Sequence, residues 1–202
     1  MPKLLLATTN QGKLREYQHL LSGLPFELVS PIKEGLDISV EESHSSYEEN
    51  ARLKATTYAV ASHLIALADD SGLEVDALGG EPGIRSARAA GENASDKDRV
   101  TYLLNRLKAV PREKRTARFV CVIAIAIPGG KVEICRGECH GIIAFEPRGN
   151  NGFGYDPVFY FPEIGKTMAE LPLDIKNQVS HRGHATRKAR QVLEKLAEKV
   201  KP

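Results

Sequence analysis

Leu4-Leu5-Leu6-Ala7 is an apolar run too short for a helix, and Thr8-Thr9-Asn10 closes it at once. It reads as a buried strand. Gly12 then breaks the chain, and Leu14, Tyr17, Leu20 and Leu21 recur at helical spacing between Lys13 and Leu21. The same handover from a short apolar run to a helical period repeats along the first half. Phe26 to Val29 predicts a second strand, and Ile38 to Val40 a short third one. Ser46 and Glu49 stand three apart, the pattern of a capping box, and open a helix through Ala51, Ala55 and Ala59 to about His63. Ile65 to Ala68 predicts a strand that stops in a tight turn at Asp69-Asp70-Ser71-Gly72. Ser95 with Asp98 opens a further helix, which ends near Ala109 before Pro111.

Farther on, Phe119 to Ile127, Val132 to Ile134 and Ile142 to Phe145 predict antiparallel strands, with Pro128-Gly129-Gly130 turning the first pair. Gly149 to Pro157 predicts a glycine-rich loop, and the last helix runs from about Gly183 to Val200. The expected fold is α/β, a mixed sheet flanked by helices in one domain over residues 1–202. Two lobes facing across a cleft also fit, although no boundary shows in the sequence.

Composition removes several classes of function. With 28 basic and 26 acidic residues, the net charge of +2 gives no reason to expect a nucleic-acid or membrane partner. No apolar stretch reaches the roughly 18 residues of a membrane span, and the run after Met1-Pro2-Lys3 is too brief for a signal peptide. Three cysteines, an odd number, argue against a secreted disulfide framework and for the cytoplasm. Cys135, Cys139 and His140 lie close together, but no fourth metal ligand is at hand.

Five segments carry chemistry. Thr8-Thr9-Asn10-Gln11-Gly12-Lys13 falls where a strand hands over to a helix, and unpaired backbone N–H groups at a helix N-terminus favour an anion. The spacing is not that of a Walker loop. Read alone, the segment also fits a polar turn in which Asn10 or Gln11 caps the helix. Glu41-Glu42 and Asp69-Asp70 follow predicted strands, where carboxylates can hold a hard cation such as Mg²⁺, which needs only one or two of them beside water and phosphate. Glu41-Glu42 also fits a solvated charge pair. Adjacent carboxylates after Ile65-Ala66-Leu67-Ala68 are costly to bury without partners. In Gly149 to Pro157, Phe153 and Tyr155 offer flat faces on which a base can stack; a flexible hairpin loop is the alternative. Lys176 can neutralise a phosphate, and His181 and Arg182 can donate to carbonyl oxygens on a base edge, although the same residues fit an ordinary basic helix start.

Taken in order, these segments resemble the inosine triphosphate pyrophosphatase family, also called non-standard purine NTP pyrophosphatases. The pattern S/T-x-N-x-x-K falls on Thr8, Asn10 and Lys13, and N-A-x-x-K-A on Asn50 to Ala55. D-D-S-G-L is Asp69 to Leu73, with Pro82 to Arg88 following; G-F-G-Y-D-P is Gly152 to Pro157, and S-H-R-G is Ser180 to Gly183. The resemblance runs from about residue 3 to residue 195. It implies an elongated α/β fold with a long mixed sheet, a cleft between two lobes, a homodimer and a Mg²⁺ requirement. It also implies that Thr8, Thr9, Asn10, Gln11, Gly12, Lys13, Ser71, Phe153, Gly154, Tyr155, Asp156, Lys176, His181 and Arg182 contact the nucleotide and that Lys54 helps hold its phosphates. Glu41 or Glu42 with Asp70 would hold the metal, with Asp69 a further candidate, and Asp70 would accept the proton of the attacking water.

The expected reaction is hydrolysis of ITP, dITP or XTP to the monophosphate and pyrophosphate. Donors at O6 would accept hypoxanthine or xanthine and face donor against donor with adenine. Two rival readings stand beside it: a pyrophosphatase of modified pyrimidines or 7-methyl-GTP, and a non-catalytic module that binds nucleotides or RNA through its basic residues.

Overall fold

Lys3–Leu6 forms β1, a strand with three fully buried leucines. Asn10 stops it by capping the next helix, α1 (Gln11–Leu20), its side chain accepting the Lys13 N–H at 3.0 Å. β2 (Glu27–Val29) pairs with β1 in parallel. The computed structural model describes residues 1–41 and 43–200. Within them the stretch 38–40 has no regular structure, contrary to the expected third strand. The Ile38 carbonyl accepts the Tyr58 hydroxyl at 2.8 Å, a side-chain partner in place of a strand ladder.

Helix α2 (Tyr47–Ser62) starts as its sequence dictates: Ser46 accepts the Glu49 N–H, and its hydroxyl donates to the Glu49 carboxylate at 2.8 Å. β3 (Ile65–Val75) pairs in parallel with β1. It does not turn at Asp69 as expected but runs on to Val75. Both carboxylates find partners, so burial inside a strand carries no prohibitive cost. β4 (Pro82–Gly83) pairs antiparallel with β3. α3 (Asp96–Arg106) opens with the full Ser95–Asp98 capping box. β5 (Thr116–Ala126) is followed by β6 (Val132–Ile143), one strand where two were expected. β7 (Phe159–Phe161), β8 (Lys166–Thr167) and α4 (Leu173–Val179) are too short to show a period in sequence. α5 (His181–Val200) closes the order.

Among the described residues the eight strands form one mixed sheet, ordered β2-β1-β3-β5-β6-β7-β8 with β4 on β3. The chain divides into two compact units, one holding Met1–Asp70, Cys121–Gly137 and the segment from Arg182 on, the other Ser71–Val120 and Glu138–His181. The first unit buries Leu4, Leu6, Tyr17, Leu67 and Ile123 with Ala185, Ala189 and Leu193 of α5. Alanines four apart let α5 lie close to the sheet, and the Arg190 guanidinium ties it to the end of α1 through the Leu20 and Ser22 carbonyls, each at 2.9 Å. The second unit buries Leu73, Leu103, Phe119, Phe159 and Leu171. There Arg115, 2% exposed, donates to the carbonyls of Leu107, Val110 and Ala144 at 2.7, 2.9 and 3.0 Å. No helix among the described residues is long and apolar enough to cross a membrane.

Candidate functional site

In the first unit the chemistry gathers on β3. Side chains alternate along a strand. Leu67 lies in the core with α1 and α5, and Asp69, two residues on, shares its face. Asp70 takes the other face, where Asn50 of α2 donates to its Oδ2 at 2.9 Å. The two adjacent acids are thus separated by the pleat and serve different neighbours. Asp69 Oδ2 receives the Lys13 ammonium at 3.0 Å and Arg182 Nη2 at 3.3 Å. Arg182 Nη1 reaches Glu16 of α1 at 2.7 Å. Glu16, Asp69 and Arg182 are at most 3% exposed, whereas the Lys13 side chain is 15% exposed, so the lysine is the outermost member of this chain of charges. Burial by itself would raise the Asp69 carboxyl; Lys13, Arg182 and Lys54 outweigh it and hold the group well below the usual carboxylate range. Asp69 Oδ1 is buried with no hydrogen-bond partner among the described residues. Lys54, one turn beyond Asn50 on α2, donates to the Asp69 carbonyl at 3.1 Å.

The turn before α1 is ordered by its own side chains. Thr8 Oγ1 accepts the Asn10 N–H at 3.2 Å, while Thr9 and Gln11 face solvent and Gly12 is buried. Glu41 is exposed in an irregular segment, and Glu42 lies outside the described residues.

In the second unit the chemistry gathers on the loop 152–156, which is held rather than flexible. Asp156, 3% exposed, forms a buried ion pair with Lys176 of α4. Asp156 Oδ2 also accepts the Phe153 N–H at 2.9 Å, and the Lys176 ammonium stands 5.0 Å from the centre of the Phe153 ring. Gly154 N–H donates to Asp96 of α3 at 2.7 Å, and the Tyr155 hydroxyl donates to the Ser86 carbonyl at 2.9 Å. The His181 ring stacks on Phe119, with centroids 4.5 Å apart, and its Nδ1 lies 4.0 Å from Cys139 Sγ. Burial pushes the Cys139 thiol up to about 12. Ser71, the residue after Asp70, is half-buried in β3.

Among the described residues no three His, Cys, Asp or Glu side chains come together as a metal site. Mg²⁺ asks less of a protein than three such ligands. Oxygen donors of the kind on β3, with a buried carboxylate oxygen still uncommitted at Asp69, suit a hard cation in their chemistry.

The profile of the Ham1 family matches residues 4–192. The chain belongs to the Ham1 family. It is 55% identical over 186 residues to the dITP/XTP pyrophosphatase of Geobacter sulfurreducens, covering 92% of this chain and 93% of that protein. The Bacillus subtilis protein of the same name is 43% identical, with 96% and 98% covered. Among solved structures, a HAM1 protein from Coxiella burnetii superposes with a TM-score of 0.87 at 43% identity, covering 96% of this chain and all of that one. The family resemblance read from the ordered motifs is borne out.

Asn50 and Glu16 in the first unit and Asp96 in the second contact candidate residues, yet none carries a candidate role in the sequence. Asn50 belongs to the N-A-x-x-K-A motif, and its spacing of four from Lys54 puts both on one helix face toward β3. Glu16 sits beside Tyr17 on the buried side of α1, and a charge on an apolar face is the signal that could have found it. Asp96 is a first-turn acid of α3, and nothing in the sequence links it to Gly154.

Proposed function

We propose that this chain hydrolyses dITP and XTP, with ITP as a related substrate, to the monophosphate and pyrophosphate. The observation that carries the reading is the arrangement on β3, where Asp69 and Asp70 divide their partners between Lys13 and Asn50, in a chain so similar to proteins named dITP/XTP pyrophosphatase. A triphosphate brings several negative charges, and Lys13, whose ammonium is the exposed end of a buried charge chain, would turn from Asp69 to a phosphate oxygen. Arg182 would then keep Asp69 compensated. Backbone N–H groups at the start of α1, with Thr8 and Asn10, would receive phosphate oxygens, and Lys54 would add a second cation. Asp70, oriented by Asn50, would accept the proton of the water that attacks the α-phosphorus.

Asp70 with Glu41 would hold Mg²⁺, Glu42 and Asp69 being the other carboxylates proposed for it. When bound, the ion would neutralise charge on the phosphates and favour ionisation of water. In the second unit, Phe153 would present the base-stacking surface, with Gly154, Asp156 and Lys176 fixing it and His181 donating at O6; Tyr155, expected to offer a second face, is instead packed in the core with its hydroxyl on the Ser86 carbonyl, and would support the loop from beneath. Arg182 would influence base choice from a guanidinium already tied to Glu16 and Asp69. The homodimer follows from the family resemblance and the cytoplasmic location from the odd cysteine count; sedimentation and cell fractionation would test them.

Pyrophosphate release should be followed across ITP, dITP, XTP, the ordinary purine and the pyrimidine triphosphates, with and without Mg²⁺. The first three should turn over fastest and only with the ion. Asp70→Asn should lower kcat by at least about 10²-fold while the protein stays folded. Near-normal turnover by folded Asp70→Asn protein would remove Asp70 from its role; a preference for pyrimidine triphosphates would overturn the substrate.

A further inference from the structure

Phe153 is fixed through both peptide groups that flank it. Its own N–H donates to Asp156 Oδ2 at 2.9 Å, and the next N–H, that of Gly154, donates to Asp96 Oδ2 at 2.7 Å. Peptide groups are planar, so tying the two on either side of one Cα leaves little freedom in its φ and ψ. Those angles restrict the rotamers the ring can adopt. The first tie is local to the loop. The second comes from 58 residues away, in the first turn of α3. Asp96 is itself oriented, because its Oδ1 accepts Arg99 Nη1 at 2.5 Å. Gly154 has φ +63, and a Cβ there would meet open space. Glycine therefore serves the left-handed conformation by which the chain leaves this peptide, not clearance.

We propose that Asp96 is a positioning residue for base recognition: by holding the Gly154 N–H it fixes how the Phe153 ring is presented, and so governs discrimination among purine bases. The inference rests on the reading of Phe153 as the surface on which the base stacks. Both carboxylate oxygens of Asp96 are engaged within the protein, by Gly154 and Arg99, so it would act through the loop. An acid in the first turn also favours the helix through its dipole. Asp98 supports the same turn through the capping box, its carboxylate engaged with Ser95. Comparing the two acids separates helix stability from the contact to the loop.

The test measures kcat and KM for dITP, XTP, dGTP and dATP with Mg²⁺, together with thermal midpoints, in the wild type, Asp96→Ala, Asp96→Asn and Asp98→Ala. Asp96→Ala should raise KM for dITP about tenfold, the effect of losing one charge-assisted hydrogen bond. It should narrow the preference for dITP over dGTP and leave kcat at saturation within about twofold. Asp96→Asn retains an oxygen that accepts from Gly154, so it should recover most of the lost KM. Asp98→Ala should lower the midpoint at least as much yet keep wild-type KM and preference. Should Asp96→Ala not fold, Asp96→Ser, polar but too short to reach Gly154, carries the same expectation. Unchanged KM and preference in Asp96→Ala would overturn the proposal. So would Asp98→Ala shifting KM equally, or Asp96→Asn failing as badly as alanine. A wild type inactive on dITP and XTP would instead overturn the proposed function.

Discussion

Arg182 illustrates how one buried side chain can be read in two ways. In sequence it lies beside His181 and suggests a donor for a base edge. In the structure its guanidinium, 1% exposed, bridges Glu16 and Asp69. Removing one partner of a buried ion pair leaves an uncompensated charge, which typically costs about 3–5 kcal/mol. Arg182→Met should therefore lower unfolding stability by about that amount, since both Glu16 and Asp69 lose a cation. The double variant Glu16→Leu with Arg182→Met should be more stable than Arg182→Met alone, because Asp69 retains Lys13 and the double variant no longer buries the Glu16 carboxylate where the guanidinium was lost. Urea unfolding of the three proteins decides it, and a double variant weaker than the single one would show that packing, not charge, governs this position.

At the level of elements, the loop 152–156 permits a finer comparison. Gly152 has φ +74, and a Cβ there would overlap Asp156 Oδ2 and crowd the Lys176 ammonium at 3.0 Å. Gly154 has φ +63 with open space around it. Gly154→Ala should cost only the left-handed backbone strain, about 1–2 kcal/mol, while Gly152→Ala should cost more and weaken the Asp156–Lys176 pair. Equal losses in thermal unfolding of the two variants would contradict the steric account. What the sequence revealed of these elements follows from how local each signal is. At the start of both α2 and α3 the capping residue lies three residues from its partner, Ser46 from Glu49 and Ser95 from Asp98, and the helices start where expected. The continuation of β3 through Asp69 and Asp70 was hidden, because its cause lies in Lys13, Asn50 and Arg182, far along the chain. The same distance conceals Asp96 behind Gly154. The motif residues themselves were legible as types; which acid meets which cation was not.

For the molecule as a whole, acid stability gives the most direct view of this buried electrostatics. Burial opposes ionisation of Asp69, and Lys13, Arg182 and Lys54 override it, so the folded protein holds this carboxyl below its ordinary value of 3.8. A group depressed in the folded state contributes stability that is fully present above its unfolded value and is lost as pH falls toward the folded one. The contribution of Asp69 is therefore complete at neutral pH and declines below about pH 4. Asp69→Asn lacks this dependence: its amide cannot ionise, and it leaves Arg182 and Lys13 with one anion fewer at every pH. The stability gap between wild type and Asp69→Asn should be widest near neutrality and should narrow steadily in more acid solution, since the wild-type protein alone loses a paired carboxylate there. Denaturant unfolding of both proteins at about pH 6 and about pH 3 measures the gap directly. A gap that stays constant would mean that Asp69 takes up its proton at the same pH folded and unfolded, and the cations around β3 would then not hold it ionised.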